Sequence, residues 1–278
     1  SKRLIARVSR DGGIFEMEFK RGKVTKKMTR VGDSSHTGTT ITFWPDDTIF
    51  ETTTYNFDTL HDRLQETAFL NKNLHISLTD EREETPRKEE FCYSGGIVDF
   101  VKYLNEEKTI LPGLNDPIYI EGSSAPDTPL NQRGEVEVSI QWNTTYSEHV
   151  MSFANDIYTD EGGMHLEGFR TALTKTINDY ARSHKLLKEK EANLTGDDIR
   201  EGLCAIISVK LPDPQFEGQT KAKLGSSYMR TLTNKIVGAG LTEYLEEHPN
   251  QAKEIFKKAF QAAKGRLAAQ RARQVARR

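Results

Sequence analysis

The sequence predicts an α+β protein in two parts, and three observations carry that expectation. Residues 1–94 read mostly as short runs alternating apolar and polar side chains, with one helical pattern among them. The character changes at Gly95–Gly96, the expected domain boundary. Residues 95–278 then mix strand-like runs with long stretches of helical spacing. The length of 278 residues suits two domains, because single cores rarely grow beyond about 250 residues.

Each element has its own local reason. ITFWPD places Ile41 and Phe43 inward and Thr42 outward, and stops at Pro45. Asp58 is the expected N-cap of a helix with Leu60, Leu64 and Ala68 on one face. LHISLTD alternates Leu74, Ile76 and Leu78, and the charged run Asp80–Glu90 reads as a solvated hairpin connection. GIVDFVKYL carries Ile97, Phe100, Val101 and Leu104 at helical spacing, and PIYIEG is a strand. Ser123–Gly134 is a polar, Pro-containing loop.

EVEVSIQWN and SEHVMSFAN are expected to pair as an antiparallel hairpin around NTTYS, with Val136, Val138, Ile140 and Trp142 on one face. The next helix presents Phe169, Leu173, Ile177 and Tyr180 as an apolar stripe. TGDDIREGL starts a compact helix in which Thr195 and Asp198 complete a capping-box pattern and Asp197 suits the first turn. CAIISVKL is a buried strand. Gly238 and Gly240 are expected to interrupt the following helix softly, and it ends before Pro249. A final helix of about seven turns follows.

Composition narrows the function classes. Hydrophobic residues make up 36% and charged residues 29%, a soluble globular profile. No apolar run approaches the roughly 18 residues of a membrane span. The start, SKRLIARVSRDGG, lacks the apolar core of a signal peptide, and with no initiator Met the chain is expected to be a fragment. Cys92 and Cys204 both fall in strand-like runs and read as buried thiols in a reducing, cytoplasmic compartment. The net charge of −2 argues against a surface that coats nucleic acid everywhere. From Lys253 to Arg278, however, nine basic residues face the single acid Glu254.

PDPQFEGQTKAKLG, Pro212–Gly225, is the foremost candidate site. A buried strand runs out here into a polar loop carrying Gln219, Lys221 and Lys223. A lysine ammonium suits a terminal phosphate as a point charge, while an ordinary solvated loop is the commoner use of such a segment. No GxxxxGK[ST] is present, so a P-loop is not the phosphate device. Thr39 in HTGTT either faces a ligand or simply belongs to a turn. His165 has no partner at metal-ligand spacing and reads as a helix-start residue. The basic final helix is either a solvated face or a docking surface for a polyanion such as DNA, and its stripe of Ile255, Ala259, Ala262 and Ala263 suggests close packing. No Ser-His-Asp or Cys-His nucleophile set emerges.

PDPQFEGQTKAKLG, TGDDIREGL, TGTTITFWPD, LQETAFLNKNLHISLTDER, GGIVDFVKYLN and GGMHLEGFRTALT together resemble the ATPase region of the bacterial DNA gyrase B subunits. The match runs in the same order over nearly the whole chain, and topoisomerase IV B subunits share most of it. The resemblance implies that residues 1–94 are the C-terminal part of an ATP-binding domain of the gyrase, Hsp90, histidine kinase and MutL type. It implies that 95–278 are a transducer domain with a left-handed β-α-β crossover and long C-terminal helices. Lys221 matches the lysine that contacts the γ-phosphate of ATP, which gives it the catalytic assignment, and Gln219 matches its companion. Thr39 matches the threonine near the adenine, and Arg10 the arginine at the mouth where aminocoumarin inhibitors bind. Arg266, Arg271, Arg273 and Arg277 would face DNA.

The family's catalytic Glu, its Mg²⁺-binding Asn, its adenine-binding Asp and its glycine-rich lid find no match here. ATP and Mg²⁺ are the implied cofactors, with the metal ligands outside this chain, so the chain alone is expected to be inactive. The implied partners are the remainder of the B subunit, the gyrase A subunit, DNA, and a second B subunit in a homodimer. The implied function is to sense the γ-phosphate and to transmit ATP binding and hydrolysis to strand passage and negative supercoiling. The alternatives are decatenation by topoisomerase IV and a DNA-binding scaffold.

Overall fold

The computed structural model describes residues 1–277; Arg278, counted above among the basic residues, lies outside the described residues. The chain forms two compact units, Ser1–Leu60 and the remainder from His61.

The first unit is an antiparallel sheet of β1 (Arg3–Arg10), β2 (Gly13–Lys20), β3 (Lys23–Asp33) and β4 (Gly38–Trp44), in the order β3-β2-β1-β4. Two-residue turns join β1 to β2 and β2 to β3. Asp11 and Gly12 have φ of 52° and 77°, and Arg21 and Gly22 have 48° and 78°. Positive φ at both central residues matches the twist of the strands they join. Ile41 and Phe43, expected inward, are 51% and 50% exposed. The alternation is real, but within this unit no described layer covers their face. The helix α1 (Phe57–Leu70) is capped by Asn56, whose Oδ1 accepts from the Thr59 N–H at 3.0 Å. Asp58, the expected cap, sits inside the first turn instead.

The second unit is built on a five-stranded sheet. Its strands are β7 (Ile118–Ser123), β8 (Glu135–Trp142), β9 (His149–Ala154), β10 (Ile157–Tyr158) and β11 (Leu203–Lys210). A separate hairpin pairs β5 (Ile76–Asp80) with β6 (Arg87–Phe91), so Asp80 and Arg87–Glu90 of the run expected to be a connection are strand. Cys92 follows β6 and is exposed, against expectation, while Cys204 is buried. Burial pushes the Cys204 thiol up to about 11, so it stays neutral.

The sheet order is β10-β9-β11-β8-β7. The expected β8–β9 hairpin is therefore not formed, because β11 lies between them, antiparallel to β8 and parallel to β9. β11 is buried at every position from Leu203 to Val209. A strand apolar on both faces belongs at the centre of a sheet covered on both sides. The parallel β9–β11 pair then needs a long crossover, which α3 (Met164–Ser183) and α4 (Gly196–Arg200) supply.

Both faces of this sheet are covered. Val136, Val138, Ile140, Trp142, Ala205, Ile207 and Val209 share a core with Phe169, Leu173 and Ile177 of α3 and with Met229, Val237 and Leu241 of α5 (Tyr228–Glu247). On the other face, Phe153, Cys204 and Ile206 meet Phe69 and Leu70 of α1 and Ile97, Phe100 and Val101 of α2 (Ile97–Leu104). The end of α1 joins this second core, and the compact units divide at Leu60/His61. The last helix, α6 (Pro249–Ala276), buries Ala252, Ile255, Ala259 and Ala263.

Two of the helix glycines, Gly168 and Gly240, are packing devices. α5 runs uninterrupted through Gly238 and Gly240, and a Cβ on Gly240 would meet Ile120 Cγ2 at 2.5 Å. A Cβ on Gly168 of α3 would strike the backbone carbonyl of Arg230 in α5. Helix propensity alone would make Gly168→Ala stabilising by roughly 1 kcal/mol. The close approach reverses the sign, and we expect a loss of about 1–3 kcal/mol in urea unfolding; a gain would show that the two helices are not in contact there.

Candidate functional site

β11 delivers the chain to the candidate loop through a clasp. Asn155 and Asp156 form the β9–β10 turn with φ of 48° and 63°. Asn155 Nδ2 donates to the Leu211 carbonyl at 2.9 Å, its Oδ1 accepts from the Leu211 N–H at 2.9 Å, and its own N–H reaches the Val209 carbonyl at 2.9 Å. Asn71, just past α1, donates to Asp156 Oδ2 at 2.9 Å. The exit of the strand is thereby fixed before Pro212.

Beyond it the loop folds on itself. The Glu217 N–H donates to the Lys223 carbonyl at 2.8 Å, the Gly225 N–H to the Gln215 carbonyl at 2.7 Å, and Phe216 bridges Leu224. The tip is a turn from Gly218 to Lys221, closed by the Lys221 N–H on the Gly218 carbonyl at 3.3 Å. Lys221 holds φ at 57°, a left-handed conformation that costs a non-glycine residue roughly 1 kcal/mol or more.

The base of the loop is tied to the start of α3. The Leu224 N–H donates to Gly162 at 3.0 Å, Leu224 accepts from the Met164 N–H at 2.9 Å, and the Glu161 N–H reaches Ala222 at 3.0 Å. Gly163, with φ at 126°, lies so close that a Cβ would strike the Leu224 backbone. Sequence reasoning missed this role of Gly162–Gly163; the pair of glycines directly before a helix was the available signal.

The two lysines of the loop differ sharply. Lys223 is neutralised by Glu217 at 3.2 Å. Lys221 is exposed and has no carboxylate partner among the described residues; its Nζ lies 6.0 Å from the Phe216 ring centre, the outer limit of a cation–π contact. Gln219 is exposed on the same tip. The arrangement presents one uncompensated cation on a narrow, anchored projection, suited to an anion.

Under the loop base lies a buried polar chain. Thr159 Oγ1 donates to the Ser152 carbonyl at 2.8 Å and accepts from His165 Nε2, 3.0 Å away. His165 is the second residue of α3, as its helix-start reading implied, and its Nδ1 has no partner. A protonated ring would need an acceptor there, and burial pushes the His165 pKa down to about 4. Among the described residues no three His, Cys, Asp or Glu side chains are grouped to hold a metal ion.

The remaining predicted residues sort by unit. In the first, Thr39 of β4 pairs with Val8 of β1, and Arg10 lies two residues along from Val8, so Thr39 and Arg10 share one face near one end of the sheet. Both are exposed, and Arg10 Nε lies 3.7 Å from the Asp11 carboxylate. In the second, Arg271, Arg273 and Arg277 are exposed near the end of α6. Arg266, expected to face DNA with them, pairs its guanidinium with Asp198, with Nε–Oδ1 and Nη2–Oδ2 both at 3.0 Å. Burial would raise the Asp198 pKa, but Arg266 and the capping contacts of Thr195 outweigh it and hold the carboxyl below its usual range.

A family model described as DNA gyrase B matches residues 96–275. The DNA gyrase B subunit of Streptococcus pneumoniae is 50% identical over 278 residues, all of this chain and 42% of that protein. The DNA gyrase B subunit of Enterococcus faecalis is 47% identical, with the same shares covered. Among solved structures, the 43K ATPase domain of Thermus thermophilus gyrase B in complex with an aminocoumarin superimposes with a TM-score of 0.82 at 36% identity, over 99% of this chain and 72% of that one. The topoisomerase IV ATP-binding domain of Francisella tularensis, in complex with a small-molecule inhibitor, gives 0.79 at 28% identity, over 96% and 70%. None of the described helices is long and apolar enough to cross a membrane.

The buried histidine sets a pH dependence. Its pKa falls from about 6.5 unfolded to about 4 folded, so the unfolded chain binds the extra proton between those values. Stability is then complete above pH 6.5 and declines as pH drops toward 4, by on the order of 3 kcal/mol. Urea titrations of the wild type and His165→Gln across that window should differ in slope; parallel curves would remove His165 as the cause.

Proposed function

This chain belongs to the DNA gyrase B family, and we propose that it supplies the phosphate sensor and the lever of an ATP-dependent type II DNA topoisomerase. The chain spans 42% of the length of the curated relatives it matches, so the activity proposed is that of a larger B subunit. The observation that carries the proposal is Lys221: an exposed cation with no carboxylate partner among the described residues, at the tip of a loop whose base is locked to the central strand and to α3.

In this account residues 1–94 belong to the ATP-binding domain and 95–278 to the transducer domain; the family match beginning at residue 96 supports the division. The Lys221 ammonium meets the terminal phosphate of ATP, with the Gln219 amide beside it. A charge-assisted contact of this kind contributes roughly 1.5–3 kcal/mol. It exists only while that phosphate is in place, so it favours one arrangement of the domains over another before hydrolysis and not after. Thr39 lies near the adenine and Arg10 at the mouth of the nucleotide pocket. Their shared face and the aminocoumarin complex of the Thermus thermophilus domain support that placement.

Mg²⁺ accompanies ATP, but the described residues offer no grouped ligands for it. The exposed Arg271, Arg273 and Arg277 carry the rearrangement to DNA, whose phosphates they neutralise. The partners are the rest of the B subunit, a second B subunit, the gyrase A subunit and DNA, in the cytoplasm. Identities of 47–50% to gyrase B subunits over the whole of this chain favour negative supercoiling over decatenation.

Lys221→Ala in a full-length B subunit, assembled with its A subunit, should lower ATP turnover by roughly 10- to 150-fold while nucleotide still binds. Wild-type turnover in that variant would count against the sensor. Reversal of Arg271, Arg273 and Arg277 to Glu should weaken duplex binding and flatten its salt dependence. If the reversed protein loses DNA binding but Lys221→Ala has no effect, the chain acts as a DNA-binding scaffold instead.

A further inference from the structure

We propose that Asp198 and Arg266 are a positioning pair, the fulcrum at which the strand bearing the phosphate-sensing loop grips the DNA-facing helix. Its purpose rests on the sensor function proposed above; its geometry stands on its own residues.

Asp198 is 3% exposed. Its Oδ2 accepts from the Thr195 N–H at 3.0 Å while Thr195 Oγ1 accepts from the Asp198 N–H at 3.2 Å, so one carboxylate both caps α4 and holds Arg266. The Arg266 contact is a two-pronged fork across 68 residues of sequence. A fork fixes direction as well as distance, which a single ammonium contact does not. Three residues after α4 ends, β11 begins, and its far end opens into the loop of Lys221.

The position of Arg266 along α6 is the second observation. The helix is 28 residues long, and its buried positions end at Ala263. From Leu267 to Arg277 every residue is exposed. Arg266 is therefore the last described tie between α6 and the body of the unit, and Arg271, Arg273 and Arg277 all lie beyond it. The third observation is Gly265. A Cβ there would meet nothing within 4 Å, so packing does not require glycine, which costs the helix about 1 kcal/mol relative to alanine. A compliant residue thus adjoins a rigid tie, as in a lever pivoting at its last support. Displacement of β11 and α4 passes into the free arm through this ion pair.

The test uses the full-length B subunit assembled with its A subunit, measuring ATP hydrolysed and DNA supercoiled in one reaction. Asp198→Asn keeps the shape and a capping oxygen but turns amide hydrogens toward Arg266. We expect ATP turnover near that of the wild type and supercoiling per ATP reduced by about tenfold, an ordinary size for coupling between sites. Arg266→Gln should do the same, the double variant should be no worse than either single one, and Arg266→Lys should recover part of the coupling. Wild-type supercoiling per ATP in Asp198→Asn and Arg266→Gln overturns the proposal. So does a parallel loss of turnover and supercoiling in the well-folded Arg266→Lys enzyme, which would make the pair merely structural. Lys221→Ala measured alongside separates the two ideas: normal turnover there sinks the sensor, whereas normal coupling in the Asp198 and Arg266 variants sinks only the fulcrum.

Discussion

The second unit depends on one constraint, that β11 must be buried on both faces. Seven consecutive positions of the strand, Leu203 to Val209, are buried. Such a strand loses most by lying at a sheet edge or under a single layer. Placing it centrally separates β8 from β9, commits the chain to a crossover through α3 and α4, and demands helices on both sides. α3 and α5 cover one face, and α2 with the end of α1 covers the other.

That constraint also aims the functional loop. A central strand ends where its neighbours end, and the β9–β10 turn, next to the exit of β11, is the natural place for a clasp. Asn155 supplies it with two reciprocal hydrogen bonds to Leu211. The glycines before α3 supply the second anchor by admitting the Leu224 backbone. Between these anchors the loop is short of freedom at its base and exposed only at its tip. A charge presented this way is already ordered, so less entropy is lost when it meets a ligand.

Charge is distributed by pairing more than by composition. Lys223 and Arg266 are both cations in regions the sequence marked as basic or phosphate-seeking, yet each is matched by a carboxylate, Glu217 and Asp198. Lys221, Arg271, Arg273 and Arg277 are among the exposed cations of the same regions that no carboxylate contact among the described residues matches. In the first unit the apolar alternation of β4 is intact while its Ile41 and Phe43 face outward, because alternation assigns two faces to a strand but does not supply the layer that covers one of them.

The sequence by itself determined the local features: most strands and the helices of the second unit, though not β6 or β10, the Thr195–Asp198 capping box, the stripe of Phe169, Leu173, Ile177 and Tyr180, and the lysine loop after a buried strand. These depend on neighbours within about four residues, and periodicity and capping record such neighbours directly. Only the tertiary structure decided that β11 separates β8 from β9, that the end of α1 packs on the second sheet face, that Asn56 rather than Asp58 caps that helix, and that Arg266 holds Asp198. Apart from the cap, a choice between adjacent residues that backbone geometry makes, these are long-range pairings. They are selected by which arrangement buries the most apolar surface with every charge matched, and no local pattern encodes that competition.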